Sequence, residues 1–477
     1  MTTKQSAIVV GAGIGGLTAA IYLARQGFSV QVLEGRSETG GLASGFTLDG
    51  LSFDYGPYIL QDRPGLEWVF QQLGEDLASR FELRKITDIY QVNFPNGARV
   101  SFYADLERTA SEFETHWPGA AKKYIAFVRR MEEVHDRLWK LAHTPNPRPA
   151  DLLPSGRWRN ARFLLHSLER VLMQTGLPPE IVNAIGIWPH LAGQRLDEAP
   201  SPMAFVPALF HTVGSYYPRG GTRRVAEVLT QMALNAGVQF QFNCRVKKIR
   251  TQEKNVAAVE TEAGTSHPAS IVVANHGAIG VYMDLLDQPV KQQAELEKLP
   301  LQSPGVCAYL AVKRKPEPPY LRFSMVSGGE ACRLFVSPGV PAPELQSDGL
   351  YPARLLSSMH YHEAEMGTAV QQQYLEKVLS EDWWKSLAGE FRVLTTQIPD
   401  DWHSRFNLYR ASMNPAMTSK FMRAGRMPHR SPHFGGLYFA GSSTHPGLGV
   451  SFSAISGILA GQCVVEDFGS KATTKTL

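Results

Sequence analysis

The sequence predicts an α/β fold, in which a parallel sheet wound with helices is interleaved with a second domain of mixed α+β structure. Two similar units, one near each end of the chain, lead to this prediction. Residues 7–34 have the pattern of a strand, a glycine-rich turn, a helix and a second strand, which is the order of a βαβ unit. Residues 436–457, "GLYFAGSSTHPGLGVSFSAISG", have the pattern of a strand, a glycine-rich turn and a helix.

Length and composition indicate a large globular protein. The chain has 477 residues, enough for two or three domains, and its hydrophobic fraction of 43% is ordinary for such proteins. The net charge of +4 gives no basis for a nucleic-acid partner. The uncharged stretches 7–24 and 447–465 are crowded with glycine and small residues. We therefore interpret them as buried strand, turn and helix rather than as membrane spans or a signal peptide.

The cysteine and histidine patterns predict neither disulfides nor a metal site. The cysteines are scattered without a CxxC pair, which indicates reduced, buried thiols and a cytoplasmic protein; they are Cys244, Cys307, Cys332 and Cys463. His360 and His362 are two apart on a predicted strand over 354–362 and would share one face. A metal site there needs a third ligand that the sequence does not offer, so we expect no metal.

The first glycine-rich turn has the pattern that binds the pyrophosphate of a dinucleotide. Gly11 permits a tight turn, Gly13 lets the backbone approach the phosphates, and Gly16 lets helix and strand pack closely. The helix that follows offers free N–H groups and the positive end of its dipole. The predicted cofactor contacts in this turn are Gly11, Ala12, Gly13, Ile14, Gly15 and Gly16.

Glu34 ends the second strand, where its carboxylate can accept hydrogen bonds from both hydroxyls of an adenosine ribose. Two further glycine-containing stretches follow, "EGRSETGGLASGF" and "FDYGPYIL". A nicotinamide cofactor has no need of them, whereas the ribityl chain and ring of FAD require more close backbone approaches. We therefore predict FAD, with further contacts from Gly35, Arg36, Gly40, Gly41, Leu42, Gly56, Pro57 and Tyr58.

The middle of the chain alternates between helical and extended patterns. Amphipathic segments predict a mostly helical insertion at 122–141, 158–175 and 180–191. Further along, the pattern predicts a helix followed by a strand over 225–249 and a buried strand over 266–275. It predicts a strand-rich part with one helix over 295–425. We expect a discontinuous FAD-binding domain made of 1–75, 210–290 and 426–477. The substrate domain is expected to comprise 76–209 and 291–425.

These residues resemble the flavoprotein superfamily that contains amine oxidases and phytoene desaturases. Three segments besides the first turn carry the resemblance. Residues 216–229, "YYPRGGTRRVAEVL", are similar to a Tyr-Pro-x-Gly-Gly-x segment of bacterial phytoene desaturases and carotenoid isomerases. Residues 272–277, "VVANHG", and the unit at 436–457 resemble the strand under the cofactor and the closing motif of that family. The resemblance implies a Rossmann-type FAD-binding domain of the amine-oxidase type.

The resemblance also assigns a purpose to the second glycine-rich turn. It implies that the last strand and helix return to the first unit and close the flavin site. The helix N-terminus would then stabilise the negative charge of reduced flavin near its N1 atom. The cofactor contacts implied here and along the middle strands are Val246, Asn275, Gly441, Ser442, Gly449, Val450 and Ser451.

Two departures from the family pattern bear on the branch to which the chain belongs. Amine oxidases of this superfamily usually place a glutamate after the Ala-Gly of the closing strand, whereas Ser442 follows Ala440-Gly441 here. No aromatic pair is evident near the second turn, so the pattern favours the desaturase branch. Phe452 follows Ser451 where desaturases commonly have small residues or proline, which would reshape the reaction cavity.

Candidate catalytic residues come from the same motifs. The closing motif would place His445 beside the flavin, although a histidine that only orients the turn is the alternative. Arg219 could clamp the cofactor or a polar end of the substrate, or it could form a structural salt bridge. Oxidation by flavin needs a C–H bond presented to N5 and water excluded, and an allylic C–H bond of a polyene needs no strong protein base.

A basic amphipathic pattern at 157–176 suggests contact with anionic lipid, which would suit uptake of a membrane-dissolved isoprenoid. The alternative is a helix packed on the core with a solvated face. The basic residues are Arg157, Arg159, Arg162 and Arg170. We thus expect a cytoplasmic protein that associates with membranes at its surface.

The predicted function is FAD-dependent desaturation or isomerisation of an apolar polyene. The alternative is a flavin oxidase that acts on a C–N or C–H bond of a small biosynthetic intermediate with oxygen as acceptor. A non-catalytic prenyl-lipid carrier is a third possibility. The intact Gly11, Gly13, Gly16 and Glu34 argue against the carrier, because a protein without flavin has no reason to keep a phosphate cradle.

Overall fold

The computed structural model describes residues 5–152, 160–326, 332–418, 421 and 426–469. The strands of this part are β1 Ser6–Val10, β2 Ser29–Leu33, β3 Gly45–Leu48, β4 Leu51–Asp54, β5 Leu83–Ile86, β6 Asp88–Asn93, β7 Arg99–Tyr103, β8 Ser215–Pro218, β9 Gln239–Gln241, β10 Val246–Gln252, β11 Asn255–Thr261, β12 Ser266–Pro268, β13 Val272–Ala274, β14 Leu301–Gln302, β15 Val306–Val312, β16 Leu321–Met325, β17 Cys332–Val336, β18 Tyr351–Ser357, β19 Phe391–Gln397, β20 Asn414–Pro415 and β21 Leu437–Phe439.

The α-helices of the same residues are α1 Ile14–Arg25, α2 Arg63–Gln72, α3 Leu106–His116, α4 Ala120–Ala142, α5 Ala161–Leu164, α6 Leu168–Met173, α7 Pro179–Ile185, α8 Ile187–Leu191, α9 Phe205–Thr212, α10 Arg223–Asn235, α11 Ala278–Gly280, α12 Gln293–Leu296, α13 Tyr361–Ala364, α14 Thr368–Ser380, α15 Asp382–Ala388, α16 Pro399–Phe406 and α17 Val450–Phe468. Short 3-10 turns and one π turn, Val281–Leu285, connect some of them.

Five strands form a parallel sheet in the spatial order β21, β13, β1, β2, β9. The register places Val9 of β1 beside Val32 of β2. The central strand, β1, is buried on both faces. Ala7 and Val9 pack in the core that contains α1 and α17, and Ile8 and Val10 pack in the core on the opposite face of the sheet. This burial on two faces explains why β1 is an uninterrupted apolar run in the sequence.

The C-terminal helix α17 packs closely against α1, and glycine makes this possible. A Cβ atom on Gly457 would lie 2.1 Å from both the carbonyl oxygen of Gly15 and Oγ1 of Thr18. Thr18 Oγ1 also donates a hydrogen bond to the carbonyl of Ala454 at 2.9 Å. The units at the two ends of the chain therefore form one continuous structure.

The second large sheet contains seven strands in the order β19, β15, β18, β17, β16, β6, β7. Neighbouring strands are antiparallel except for β16 and β6, which are parallel. One face packs against helices from 106–212 in an aromatic core that includes Tyr90, Phe102 and Phe323. The other face is covered by α14 and α15, where Trp384 is buried. The predicted fold class, a wound parallel sheet with an interleaved α+β part, is confirmed.

The smaller sheets connect these two parts. Strands β10, β11 and β12 form an antiparallel sheet, and the two-stranded pairs are β3 with β4, β5 with β8, and β14 with β20. The strands predicted over 238–249 and 266–275 are each divided in two. Strands of the five-stranded sheet come from 6–33, 239–241, 272–274 and 437–439. The exact domain boundaries stay a prediction.

The helical insertion differs from the prediction at its most basic segment. Helix α4 matches the helix predicted over 122–141, and Gly186 divides the segment 180–191 into α7 and α8. The single helix predicted over 158–175 is wrong within the described residues, where α5 and α6 are separate. Ser167 causes the break, because its hydroxyl accepts the Arg170 N–H and its backbone pairs with Pro200. Residues 153–159, with Arg157 and Arg159, lie outside the described residues.

The histidine pair is also placed differently from the prediction. Strand β18 ends at Ser357, so His360 precedes α13 and His362 lies inside it, with their rings stacked at a centroid distance of 5.6 Å. Over the described ranges, no three His, Cys, Asp or Glu side chains are grouped as a metal site. Nor does any helix described there combine the length and the apolarity that a membrane span requires. The four cysteines are buried and free.

Candidate active site

A cavity of about 430 Å³ opens at the carboxyl ends of the parallel strands, a usual place for ligands in such sheets. Both glycine-rich turns contribute to its wall. Nineteen of the predicted cofactor residues line it: Gly11, Gly13, Ile14, Gly15, Glu34, Gly35, Arg36, Gly40, Gly41, Leu42, Gly56, Pro57, Tyr58, Val246, Asn275, Gly441, Ser442, Gly449 and Val450.

Three predicted cofactor residues do not line the cavity but support residues that do. Ala12 is buried, and its N–H donates to Glu34 Oε2 at 2.6 Å. Gly16 allows α1 to start close to the first turn, since a Cβ atom there would lie 2.1 Å from the carbonyl of Gly11. Ser451 lies in the first turn of α17, between Val450 and Ser453, which both line the cavity.

Two of the longer helices, α1 and α17, begin at this cavity, and neither has a side-chain cap. Gly13 is the N-cap of α1, and Gly449 is the N-cap of α17; both residues line the cavity. The first N–H groups of a helix have no partner within the helix, and the helix dipole adds partial positive charge at this end. The cavity is therefore prepared for negative charge at two separate points.

Asn275 is the residue around which the two turns close. A Cβ atom on Gly13 would lie 2.6 Å from Asn275 Nδ2, and one on Gly15 would lie 2.7 Å from Asn275 Oδ1. From the other end of the chain, a Cβ atom on Gly441 would lie 3.0 Å from the same Oδ1. Larger residues at these positions would push the carboxamide out of place. The sequence predicted Asn275 as a contact but not this central position.

Glu34 stabilises the first turn and keeps acceptor capacity for a ligand. Its two carboxylate oxygens accept the N–H groups of Ala12 and Arg36, the latter at 2.9 Å. A carboxylate has about four lone-pair sites, so it can still accept ribose hydroxyls. The Arg36 guanidinium lies over the Phe406 ring, 4.7 Å from its centroid. This end of the cavity thus combines an acid for hydroxyl groups with a fixed cation.

A hydrogen-bond centre at Asp54 explains the segment 216–229. The buried Asp54 carboxylate accepts the Tyr217 hydroxyl at 2.6 Å and the N–H groups of Thr222 and Arg223 at 3.0 and 3.1 Å. It thereby caps the start of α10. The buried Arg354 donates to the carbonyls of Asp54, at 2.7 Å, and of the residue after it. These contacts fix the chain just before Gly56, Pro57 and Tyr58 enter the cavity wall.

The structure does not bring Arg219 to the cavity. Its side chain is 61% exposed and lies 3.5 Å from Glu82, so the salt-bridge alternative describes its surroundings and a clamp on the cofactor does not. Gly220 and Gly221, both with positive φ, follow Arg219 and lead to Thr222, whose hydroxyl donates to the carbonyl of the cavity residue Pro57 at 3.4 Å. The buried polar contacts of this motif belong to Tyr217 and Thr222 instead.

His445 lies deep in the loop before α17, but it is not part of the cavity wall. Its Nε2 donates to the carbonyl of Leu141 at 2.7 Å, at the end of α4. Burial, together with the positive charge of Arg426, lowers the pKa of His445 to about 3. The imidazole is therefore neutral at pH 7 and holds the loop against α4, which supports the turn-orienting alternative.

The segment 405–414, from the end of α16 to the start of β20, adds cavity residues that the sequence did not predict. Arg405, Phe406, Met413 and Asn414 line the cavity although they lie in the predicted substrate domain. Asn414 Oδ1 accepts the Ser442 hydroxyl at 3.0 Å and so connects this loop to the second turn. No local pattern marks these residues, because their position depends on contacts across the two sheets.

The residues present fit a flavin dinucleotide. Gly40 and Gly41, with φ of +99° and +54°, give the backbone a left-handed approach that other residues rarely adopt. Together with two uncapped helix starts and one acid, they offer a pyrophosphate site, a ribose site and a second site for negative charge. When bound, FAD would be held by these groups and would supply two-electron oxidation.

The chain belongs to the family of flavin-containing amine oxidoreductases, whose sequence pattern matches residues 14–465. It is thus a FAD-dependent oxidoreductase, and the predictions of an enzyme, of FAD and of a phytoene desaturase-like flavoprotein are confirmed.

Within the family, the chain is 24% identical to a 4,4'-diapolycopene oxygenase of Methylomonas sp, over 97% of this chain and 99% of that one. It is 28% identical to a zeta-carotene-forming phytoene desaturase of Myxococcus xanthus, over 95% of this chain and 93% of that one. Among solved structures, an oxidoreductase from Methanosarcina mazei has the same fold, with a TM-score of 0.66, 17% identity and coverage of 97% and 100% of the two chains.

Proposed function

We propose that the protein desaturates an apolar polyene by transfer of hydride to its flavin. One observation carries this proposal. Glu34 is the one acidic residue among the described residues that line the cavity, and it lies on the first turn. The closing strand offers Ser442 where amine oxidases of the superfamily place glutamate, and its hydroxyl is engaged by Asn414. A cationic amine would find no carboxylate on this wall, whereas a hydrocarbon needs none.

The chain's own residues bind and orient the cofactor and the substrate and exclude water. They do not need to move protons. The cavity wall carries the apolar side chains of Leu42, Leu448 and Val450, of which the last two belong to the second turn and the start of α17. Burial raises the pKa of Tyr58 to about 12, so its hydroxyl stays protonated and neutral. Burial also lowers the pKa of His276, which lines the cavity, to about 4, so this imidazole is neutral at pH 7. Neutral side chains of this kind suit abstraction of hydride from an allylic carbon.

The test is an anaerobic reaction of the FAD-loaded protein with phytoene and, separately, with a panel of primary and secondary amines. The absorbance of oxidised flavin should fall with phytoene, and a product with one more double bond and a longer conjugated system should appear. Loss of flavin absorbance with amines alone would contradict the proposal and favour the oxidase alternative. Change in double-bond geometry without net flavin reduction would favour isomerisation.

A second candidate, oxygenation of a polyene, is favoured by the match to a 4,4'-diapolycopene oxygenase over nearly the full length of both chains. It differs from desaturation in the fate of oxygen. Aerobic reaction under isotopically labelled O2 should leave the product unlabelled if the protein is a desaturase. Incorporation of the label would establish the oxygenase instead.

We further propose that α5 and α6 contact the membrane from which such a substrate would be taken. Leu165 and Met173, 57% and 69% exposed, each follow an exposed arginine by three residues, Arg162 and Arg170 respectively. Apolar side chains beside cations are the pattern of a surface that binds anionic lipid. Replacement of Leu165 and Met173 by serine should reduce sedimentation with phosphatidylglycerol vesicles at low salt. Met366→Ser, equally exposed but elsewhere, is the control, and equal loss in both variants would contradict the proposal.

A further inference from the structure

The side chain of Arg426 is partly buried, with its Nε shielded from solvent, and packs against the loop that leads into α17. Its Nη2 is 2.8 Å from the position that a Cβ atom of Gly447 would occupy, and Gly447 has a φ of +133°. The next residue, Met427, pairs with Thr444 of the same loop in a parallel bridge. The guanidinium is thus held against Gly447, which lies two residues before Gly449 in the sequence. Gly449 is the N-cap of α17 and part of the cavity wall.

Among the described residues, this partly buried cation has no counter-ion. Within the described part of the chain, Arg426 forms no ion pair, and its buried Nε has no hydrogen-bond partner. Burial lowers the pKa of Arg426 to about 10, so it remains charged at pH 7. The titratable neighbours on the packed elements are His429, His445 and His143, and burial lowers the pKa of each of them.

The nearby backbone does not compensate for the charge either. The last turn of α4 could offer carbonyl oxygens, but Leu141 O accepts His445 Nε2 and Trp139 O accepts His143 Nδ1. The start of α17 adds a second positive group on the same loop. A buried unpaired charge is costly, and such charges are retained in proteins where a ligand or a charge that develops in a reaction pairs with them. An anion beyond the chain itself is therefore expected at this loop.

We propose that Arg426 and the start of α17 together stabilise the anionic reduced form of the bound flavin and so raise its reduction potential. The proposal rests on FAD binding by this family and not on the identity of the substrate. The pyrophosphate of FAD is not the anion in question, because the first turn and the uncapped start of α1 are built for it. The flavin ring carries negative charge only after it has accepted two electrons. The second turn would therefore face an anion only in the reduced state.

The test is a dye-coupled redox titration of FAD-loaded Arg426→Gln, Arg426→Lys and Arg430→Gln, in the absence of any substrate. Arg430 is the control, because it lies four residues further on and is paired with Glu466 and Asp467 at the surface. Arg426→Gln should favour the oxidised flavin at least tenfold over wild type, a fall of about 30 mV for a two-electron couple. Arg426→Lys should keep most of the wild-type potential, and Arg430→Gln all of it.

Two results would overturn the proposal. One is a wild-type potential in Arg426→Gln, and the other is an equal fall in Arg426→Gln and Arg426→Lys, which would indicate a role of shape rather than charge. If Arg426→Gln does not fold, Arg426→Met, which has similar length and no charge, takes its place with the same expected fall. Because no substrate is added, this outcome is independent of whether the enzyme acts on a polyene.

Discussion

The two glycine-rich turns use the same backbone device in opposite electrostatic surroundings. Each leads into a helix whose N-terminus is uncapped at the cavity. The first turn is paired with an acid, because Glu34 accepts the N–H of Ala12. The second is paired with a cation and neutral histidines, because Arg426 packs against Gly447. The difference indicates a division of labour, with the first turn built for hydroxyl and phosphate groups and the second for charge that develops during the reaction.

The largest expected effect comes from separating the two helices that carry the turns. Gly457→Ala would place a Cβ atom 2.1 Å from the backbone of Gly15. We expect a loss of about 3 kcal/mol in the free energy of unfolding, at the upper end for overpacked cores, together with loss of flavin. Urea unfolding of the purified protein measures it. Gln462→Ala, partly exposed on the same helix, is the control, and equal loss in both would refute close packing as the cause.

The next effect concerns the acid of the first turn. Glu34→Gln keeps the shape but removes the charge that accepts two backbone N–H groups. FAD affinity should fall by roughly 2 kcal/mol, or about thirtyfold in Kd, the range for hydrogen bonds to charged groups. Glu38→Gln is the control, because Glu38 is the exposed ion-pair partner of Arg36. FAD affinity is measured by fluorescence quenching of FAD. Unchanged affinity in Glu34→Gln would show that the charge of Glu34 does not contribute to FAD binding.

Acid should destabilise the protein in part through His445 of the second turn. Burial lowers the pKa of His445 from 6.5 to about 3 in the folded protein. Below pH 6.5 the unfolded chain therefore binds a proton that the folded protein does not, so stability is intact above this pH and falls as pH decreases. The slope for one such proton is at most about 1.4 kcal/mol per pH unit.

His445→Gln tests this origin, because its amide can still donate to Leu141 and does not titrate. The free energy of unfolding, measured with urea at several pH values, should fall less steeply in this variant than in wild type between about pH 6 and about pH 4. The difference in slope should correspond to at most one bound proton. Equal slopes in variant and wild type would show that His445 contributes nothing to acid sensitivity.

The smallest effect is expected at Ser442, whose hydroxyl connects the second turn to Asn414. Ser442→Ala removes one neutral hydrogen bond, so FAD affinity should fall by about 1 kcal/mol or less. A calorimetric titration with FAD measures the change. A loss as large as that of Glu34→Gln would mean that Ser442 contacts the cofactor more strongly than the cavity geometry indicates.

The sequence predicts the parts of this site that local chemistry determines. Gly11, Gly13 and Glu34 lie within one βαβ unit, where turn, helix start and strand end follow from neighbouring residues. The roles of Asp54 and Asn275 escape such analysis, because Asp54 binds Tyr217 from a strand 163 positions away and Asn275 contacts glycines from both ends. The helix predicted over 158–175 fails for the same reason, since contact with Pro200 breaks it at Ser167.

The most direct test of the account is a double-mutant cycle on FAD affinity with Gly15→Ala and Gly441→Ala. Each substitution would crowd the same Asn275 Oδ1, one from each glycine-rich turn. If both turns close on Asn275 to form one flavin site, the losses should be coupled by at least about 0.5 kcal/mol. Losses that add to within about 0.3 kcal/mol would show that the turns act independently, and would contradict the account.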